Sequence, residues 1–205
     1  MNIEVKKSTK AIDYEKSMQI LEQRVKDVIA GKKSELLWIL EHKNVYTAGS
    51  SSINSDLLDK NINVIKTNRG GKHTFHGPGQ KIVYFVLDLN KRGKNIRNLV
   101  NSVEACIVNT LKEYNVSSYS DRKNIGIWTS TNQGTYKIAA IGIKVKRWIA
   151  YHGFALNIST DLTKYKAIIP CGLKNKKITS LKEMGIKNIE NINKIIIKNF
   201  LNTFL

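Results

Sequence analysis

A mixed α/β architecture follows from three features of the sequence. Three stretches carry apolar residues at three- and four-residue steps, the signature of amphipathic helices. Between them lie several short apolar runs bounded by polar residues, which read as strands. The breaks between the later runs are polar and hairpin-like, which points to a mixed sheet with flanking helices (α/β, α+β) rather than a regular βαβ series.

Residues 11–30 form the first expected helix, with Tyr14, Met18, Leu21, Val25 and Val28 on its apolar stripe and Gly31 ending it. The run LLWILEH from Leu36 reads as a buried strand, and residues 64–67 as another after a polar stretch. Residues 69–80, RGGKHTFHGPGQ, hold four glycines and a proline, so a loop system is expected there. Residues 82–89 are strand-like. Residues 95–114 form the second helix, on Ile96, Leu99, Val100, Val103, Ile107 and Leu111. Short strands are expected at 117–119 and 125–128, a turn at 130–134, and strands at 137–145 and 153–158. Residues 188–205 read as a broad-faced terminal helix.

The length, 205 residues with 41% hydrophobic, suits one domain with its own core, or one main domain with a small appendage. The two cysteines, Cys106 and Cys171, are widely separated, which fits a reducing compartment. The first residues are polar and charged, and no apolar run approaches the ~20 residues of a bilayer span. A cytoplasmic protein with no membrane partner is therefore expected. The formal charge of +18, from 34 basic against 16 acidic residues, would steer acidic partners. It equally reflects a Lys-, Ile- and Asn-rich composition. No Cys/His finger spacing, helix-turn-helix signature or RNA-binding aromatic motif accompanies it, so no specific nucleic-acid partner is expected.

The chemistry-bearing candidates are few. The 69–80 segment can bring backbone N–H groups close to a ligand, yet it lacks the Gly-Lys-Ser/Thr of a P-loop and the spacing of a dinucleotide fingerprint. Four histidines (His42, His73, His76, His152) and two distant cysteines give little support to a metal site, and none is expected. Cys171, between Pro170 and Gly172, is suited to an exposed turn, whereas Cys106 lies on an apolar helix stripe and reads as core. A cysteine nucleophile needs a proton acceptor or a nearby cation. His76, His152 and Lys137 are the candidates. Lys137 opens the apolar run IAAIGI, where desolvation would favour its neutral form; a strand-end lysine reaching for water is the plainer reading.

Taken together, RGGKHTFHGPGQ, KIAAIGIKVKRW (137–148), HGFALNI (152–158) and PCGL (170–173) resemble the lipoyl(octanoyl) transferases of lipoate biosynthesis, in the biotin/lipoate protein ligase superfamily. LEHKNVYTAG (40–49) and TSL (179–181) also match, in the family's order. The resemblance implies that superfamily's catalytic-domain fold and octanoyl transfer through a cysteine thioester. It maps the nucleophile to Cys171 and the catalytic lysine to Lys137. It maps substrate contacts to Arg69, Gly70, Gly71, His73, Thr74, Phe75, His76, Gly77, Gly79 and Gln80, and to Tyr84. Further contacts map to Ala139, Ala140, Ile141 and Gly142, and to His152, Gly153, Phe154, Ala155, Leu156 and Asn157. Ile141, Ile143, Phe75 and Leu156 are expected to wall an acyl slot.

The implied donor is octanoyl-acyl carrier protein. The implied acceptors are lipoyl domains of 2-oxoacid dehydrogenase complexes and the glycine cleavage H protein. No cofactor is implied, since the donor thioester is already activated; the ATP-dependent ligases of the superfamily are the nearest alternative. The sequence departs from the family pattern at Lys43 and Asn44, at Phe85, and at Trp148 and Ala150. The first two departures read as loop and strand-edge variation. The third is expected near the pocket, where it would alter how the acyl chain fits.

Overall fold

The computed structural model describes residues 2–170 and 177–205. Its strands are β1 (Ile3–Lys7), β2 (Glu35–Leu40), β3 (Val45–Ala48), β4 (Val64–Lys66), β5 (His73–His76), β6 (Gln80–Asp88), β7 (Tyr119–Ser120), β8 (Ile127–Thr131), β9 (Gly134–Lys146), β10 (Ile149–Asn157) and β11 (Lys177–Ile178). Its helices are α1 (Tyr14–Ile29), α2 (Ile96–Lys112) and α3 (Ile192–Phe204). The main sheet runs β1-β2-β6-β10-β9-β8-β7, with β11 also paired to β9. A small sheet, β4-β3-β5, stands apart. The pairings are mostly antiparallel, with β1–β2 and β9–β11 parallel, so the sheet is mixed as expected.

Strand alternation builds two apolar layers. Leu37 and Ile39 of β2 and Val83, Phe85 and Leu87 of β6 face one side, where they join Leu99, Val103 and Ile107 of α2 and Ile196 and Phe200 of α3. Leu36, Trp38 and Leu40, with Ile82, Tyr84 and Val86, face the other side against Leu21 and Val25 of α1. Asp13 caps α1 through its carboxylate, and Asn95 caps α2. Arg92 ties the start of β2 to the end of α3: it pairs with buried Glu35 and donates to the Phe204 carbonyl at 3.0 Å.

Several expectations need correction. The glycine-rich 69–80 segment is not loop throughout. His73–His76 form β5, paired antiparallel to β3, because the glycines lie outside those four residues. Phe85 is not at a strand edge. It lies mid-β6, between Leu37 of β2 and His152 of β10, with its ring 5.8 Å from that of Phe200. Trp148 occupies the β9–β10 hairpin tip, 39% exposed, away from the cleft described below. No helix among the described residues is long and apolar enough to cross a membrane.

Candidate active site

β9 and β10 carry the centre of the site, since both run through the middle of the sheet and expose their central residues to the β5 side. An apolar cleft is lined there by Arg69, Gly71, Lys72, His73, Thr74, His76, Ile82, Tyr84, Ala140, Ile141, Gly142, His152, Gly153, Phe154 and Ala155. Most of these were expected; Lys72 and Ile82 were not. Ile82 was legible in principle, being two residues from Tyr84 and so on the same strand face. Phe75 and Leu156, expected as walls, lie elsewhere. Phe75 packs against Tyr165 and Ile168, because alternation along β5 turns it from His76, and Leu156 joins the α2/α3 layer.

Gly153 is required by the chain's own path. Its φ is +159°, and a β-carbon there would collide with the Val83 carbonyl across the β6–β10 pairing. The preceding His152 has φ +68°. Both positive-φ residues lie where β10 lines the cleft.

Three of the histidines, His42, His76 and His152, are buried and hydrogen-bonded through their rings. His42 donates from Nδ1 to the Ile12 carbonyl at 2.9 Å, which leaves Nε2 to accept from the Tyr84 hydroxyl at 2.8 Å. His76 Nδ1 lies 2.7 Å from Gln80 Oε1, and His152 Nε2 lies 2.7 Å from Asn68 Oδ1. The His76 ring stacks on Tyr14, and the His152 ring stacks on Tyr151. Burial in this aromatic setting pushes His42 down to about 4, and His76 and His152 down to about 3. Burial also lowers His73. At neutral pH the cleft presents neutral imidazoles beside its aliphatic walls.

Arg69 faces inward. Its guanidinium donates to the Thr47 carbonyl (3.0 Å) and hydroxyl (2.7 Å), to the Lys72 carbonyl (2.9 Å) and to the Gly70 carbonyl (3.0 Å). It therefore shapes the 69–72 loop and ties it to β3. Gln80 and Asn157 form a buried brace behind the cleft: Gln80 Nε2 lies 2.9 Å from Asn157 Oδ1 and 3.0 Å from the Tyr165 hydroxyl, and Asn157 Nδ2 donates to the Thr179 carbonyl at 3.0 Å. The Gly77 carbonyl accepts from the Gln80 backbone N–H, and the Gly79 N–H donates to Glu41 Oε2 at 2.9 Å.

Lys137 is 5% exposed on β9. Its Nζ donates to the Ile125 carbonyl at 2.7 Å and lies 5.4 Å from the Trp128 ring centre. Gly126, with φ +134°, leaves room for it: a β-carbon at 126 would lie 2.8 Å from Nζ and closer still to Cε. Sequence reading did not single out Gly126, because only the folded path brings it against the lysine. A small cavity holds Lys137, Ala139 and Asn157 together with Pro170 and Ile178, and it shares Thr74, Ala140 and Ala155 with the cleft. Lys177 and Ile178 pair with Tyr136 and Lys137, so both flanks of segment 171–176 meet the lysine strand. Cys171 and Gly172 lie outside the described residues. Cys106 is fully buried on α2, and burial pushes its thiol up to about 12. No group of three His, Cys, Asp or Glu among the described residues is placed to hold a metal.

Comparison with known proteins identifies the family and the fold. Residues 13–201 match the lipoyl protein ligase A/B catalytic domain. The chain is 46% identical to an octanoyltransferase of Anaplasma phagocytophilum (strain HZ), over 90% of each chain. It is 40% identical to one of Wolbachia pipientis wMel, over 96% of this chain and 97% of the relative. Its fold resembles a chain from the structural analysis of an archaeal lipoylation system, a bipartite lipoate protein ligase and its E2 lipoyl domain from Thermoplasma acidophilum (TM-score 0.70, 13% identity, 98% of this chain and 84% of that one). It also resembles a lipoate-protein ligase A bound with ATP (TM-score 0.64, 14% identity, 83% of this chain and 73% of that one). The chain belongs to the lipoyl protein ligase A/B catalytic domain family and, within it, to the octanoyltransferases, which are acyltransferase enzymes.

Proposed function

We propose that residues 1–205 act as one cytoplasmic catalytic domain that moves an octanoyl group from octanoyl-acyl carrier protein to a lipoyl-domain lysine. Acceptors of this kind are the 2-oxoacid dehydrogenase complexes and the glycine cleavage H protein. Transfer runs through a thioester on Cys171, with Lys137 moving the protons. The observation that carries this reading is a shared cavity: Lys137 and Pro170, the chain neighbour of Cys171, line it together, and Thr74, Ala140 and Ala155 line both it and the apolar cleft.

The cleft suits an octanoyl chain. Ile82, Tyr84, Ile141 and Phe154 give apolar walls, and the depressed histidines add no charge. Six methylenes at ~0.8 kcal/mol each contribute roughly 5 kcal/mol before entropic costs.

In the first half-reaction Cys171 sulfur bonds the thioester carbonyl carbon and the carbon–sulfur bond to the carrier arm breaks. The thiol proton passes through Lys137 to the leaving thiolate. In the second, the acceptor amine bonds the same carbon and the bond to Cys171 breaks. Lys137 takes the amine proton and returns it to the cysteine. The Ile125 carbonyl and the Trp128 ring orient the Lys137 amine for both steps. Both thioesters have similar energy, whereas the amide is far more stable, so no ATP or other cofactor enters.

Lys137→Arg tests the lysine. Arginine keeps the charge but does not release its proton. Single-turnover acylation and deacylation should each fall by roughly 10²–10⁴-fold, the usual scale of general acid–base catalysis. Near-wild-type rates in a folded Lys137→Ala protein would exclude the role.

A further inference from the structure

A thioester joins an acyl chain to an arm that points away from it. The cleft accounts for the first of these; a second channel is needed for the other. One leaves Lys137 toward solvent. Ile141, Ile143 and Val145 of β9 floor it, Ile96 and Val100 of α2 form one wall, and Gly70–Lys72 form the opposite wall. Residues 123–125 make its lip, and the Ile125 carbonyl in that lip accepts from Lys137 Nζ. The groove meets the cleft at Gly71, Lys72, Ile141 and Gly142. Lys137 lines both this groove and the small lysine cavity.

Two features narrow the occupant. Ile96 and Ile125 are 47% and 57% exposed, which suits a partner that covers them on arrival. The charged residues of the groove are Lys72, Lys123 and Lys137, with no carboxylate among its described lining. Lys72 is engaged by Asp56 at 3.0 Å, which leaves Lys123 as the exposed cation at the lip. Farther out the groove continues past Arg97 and Arg122, where Glu104 and Asp121 also appear. Asp121 is folded onto its own loop, accepting from the Lys123 N–H at 2.8 Å and from Asn124 Nδ2 at 2.6 Å. An uncharged arm would lie on the isoleucine floor, and an anionic root would meet Lys123.

We infer that this groove is the entry channel for the donor's prosthetic arm, an extended chain that ends in the thioester and is rooted through a phosphodiester on an acidic carrier protein. The inference rests on the proposed octanoyl transfer and adds where the donor docks.

The test compares kcat/KM for octanoyl-carrier protein with kcat/KM for octanoyl-N-acetylcysteamine, a short thioester with neither phosphate nor protein. Val100→Asp puts a carboxylate on the groove wall, and Lys123→Glu reverses the exposed cation at its lip. Lys187→Glu makes the same charge change at an exposed position outside the groove. The carrier-to-short-thioester ratio should fall about tenfold in both groove variants and hold in the control. An unchanged ratio in Lys123→Glu would overturn the assignment. So would a loss seen only when the acceptor domain is varied, which would give the groove to the acceptor. A wild-type protein that transfers from neither donor would instead remove the octanoyl-transfer reading itself. Circular dichroism separates misfolding of Val100→Asp from these outcomes, and Lys123→Glu, at an exposed position, keeps the test decisive.

Discussion

Gly126 lies against the side-chain end of Lys137, so closely that a β-carbon at 126 would come within 2.8 Å of Nζ and 2.7 Å of the Ala139 carbonyl. The same segment supplies the Ile125 carbonyl to that nitrogen. Lys137 is thus held from below by backbone that only glycine leaves open. Gly126→Ala should displace the amine and lower kcat by roughly 10²-fold or more, the scale of lost acid–base catalysis. Gly134→Ala is the matched control: Gly134 has φ +125°, but a β-carbon there meets nothing within 4 Å. Both variants carry backbone strain of about 1–3 kcal/mol. Only Gly126→Ala should lose turnover; equal losses in both would reduce the effect to strain.

The histidine cluster makes stability pH-dependent. His42, His76 and His152 are depressed to about 4, 3 and 3 in the folded chain, while unfolded they titrate near 6.5. Above pH 7 they are neutral in both states and contribute nothing to the slope. Below 6.5 the unfolded chain binds protons that the folded chain refuses, so stability is lost as pH falls toward the folded values. Each group costs up to about 1.4 kcal/mol per pH unit. Urea unfolding at pH 7.5 and 5.5 should differ by about 4 kcal/mol, with the lower stability at pH 5.5. A flat profile would show that these imidazoles are protonated in the folded protein.

Cys106 should be inert. It is fully buried, with its thiol pushed up to about 12, and its α2 position faces the core. Cys106→Ala should keep octanoyl transfer at wild-type rates while lowering stability by about 1 kcal/mol through the space it leaves. Rapid alkylation of Cys106 in the native protein would contradict its burial.

The β9–β10 hairpin carries avoidable strain. Arg147 and Trp148 form its two-residue tip with φ +50° and +63°, conformations that favour Asn-Gly. Trp148 is exposed, and Lys94 Nζ sits 6.0 Å from its ring. Trp148→Gly should stabilise the protein by roughly 1 kcal/mol and raise Tm without affecting transfer. A lowered Tm would mean that the ring's contacts outweigh the strain.

Much of the fold was legible because its helices and inner strands bury periodic apolar faces. Tyr14, Leu21 and Val25 on α1, and Leu99, Val103 and Ile107 on α2, are such positions. β1 escaped notice since IEVKK buries Ile3 alone among its five residues. β3 and β5 escaped because the small sheet is short and glycine-flanked, so its backbone pairing outweighs the local turn signals. β10 begins at Ile149, earlier than expected, since its hairpin tip lies at residues 147–148. At the site, the residue types of Lys137 and the histidines are written in motifs. The brace of Gln80 with Asn157, the inward turn of Arg69 and the Gly126 seat depend on contacts between distant segments, which no local pattern encodes.

Intact-protein mass spectrometry after mixing with octanoyl-carrier protein, in the absence of acceptor, tests the central claim most directly. Wild type should gain one octanoyl group, mapped to Cys171 and released by hydroxylamine, while Cys171→Ser gains none and Cys106→Ala gains one. An adduct on another residue, or continued transfer to the acceptor by folded Cys171→Ser, would contradict the acyl-enzyme.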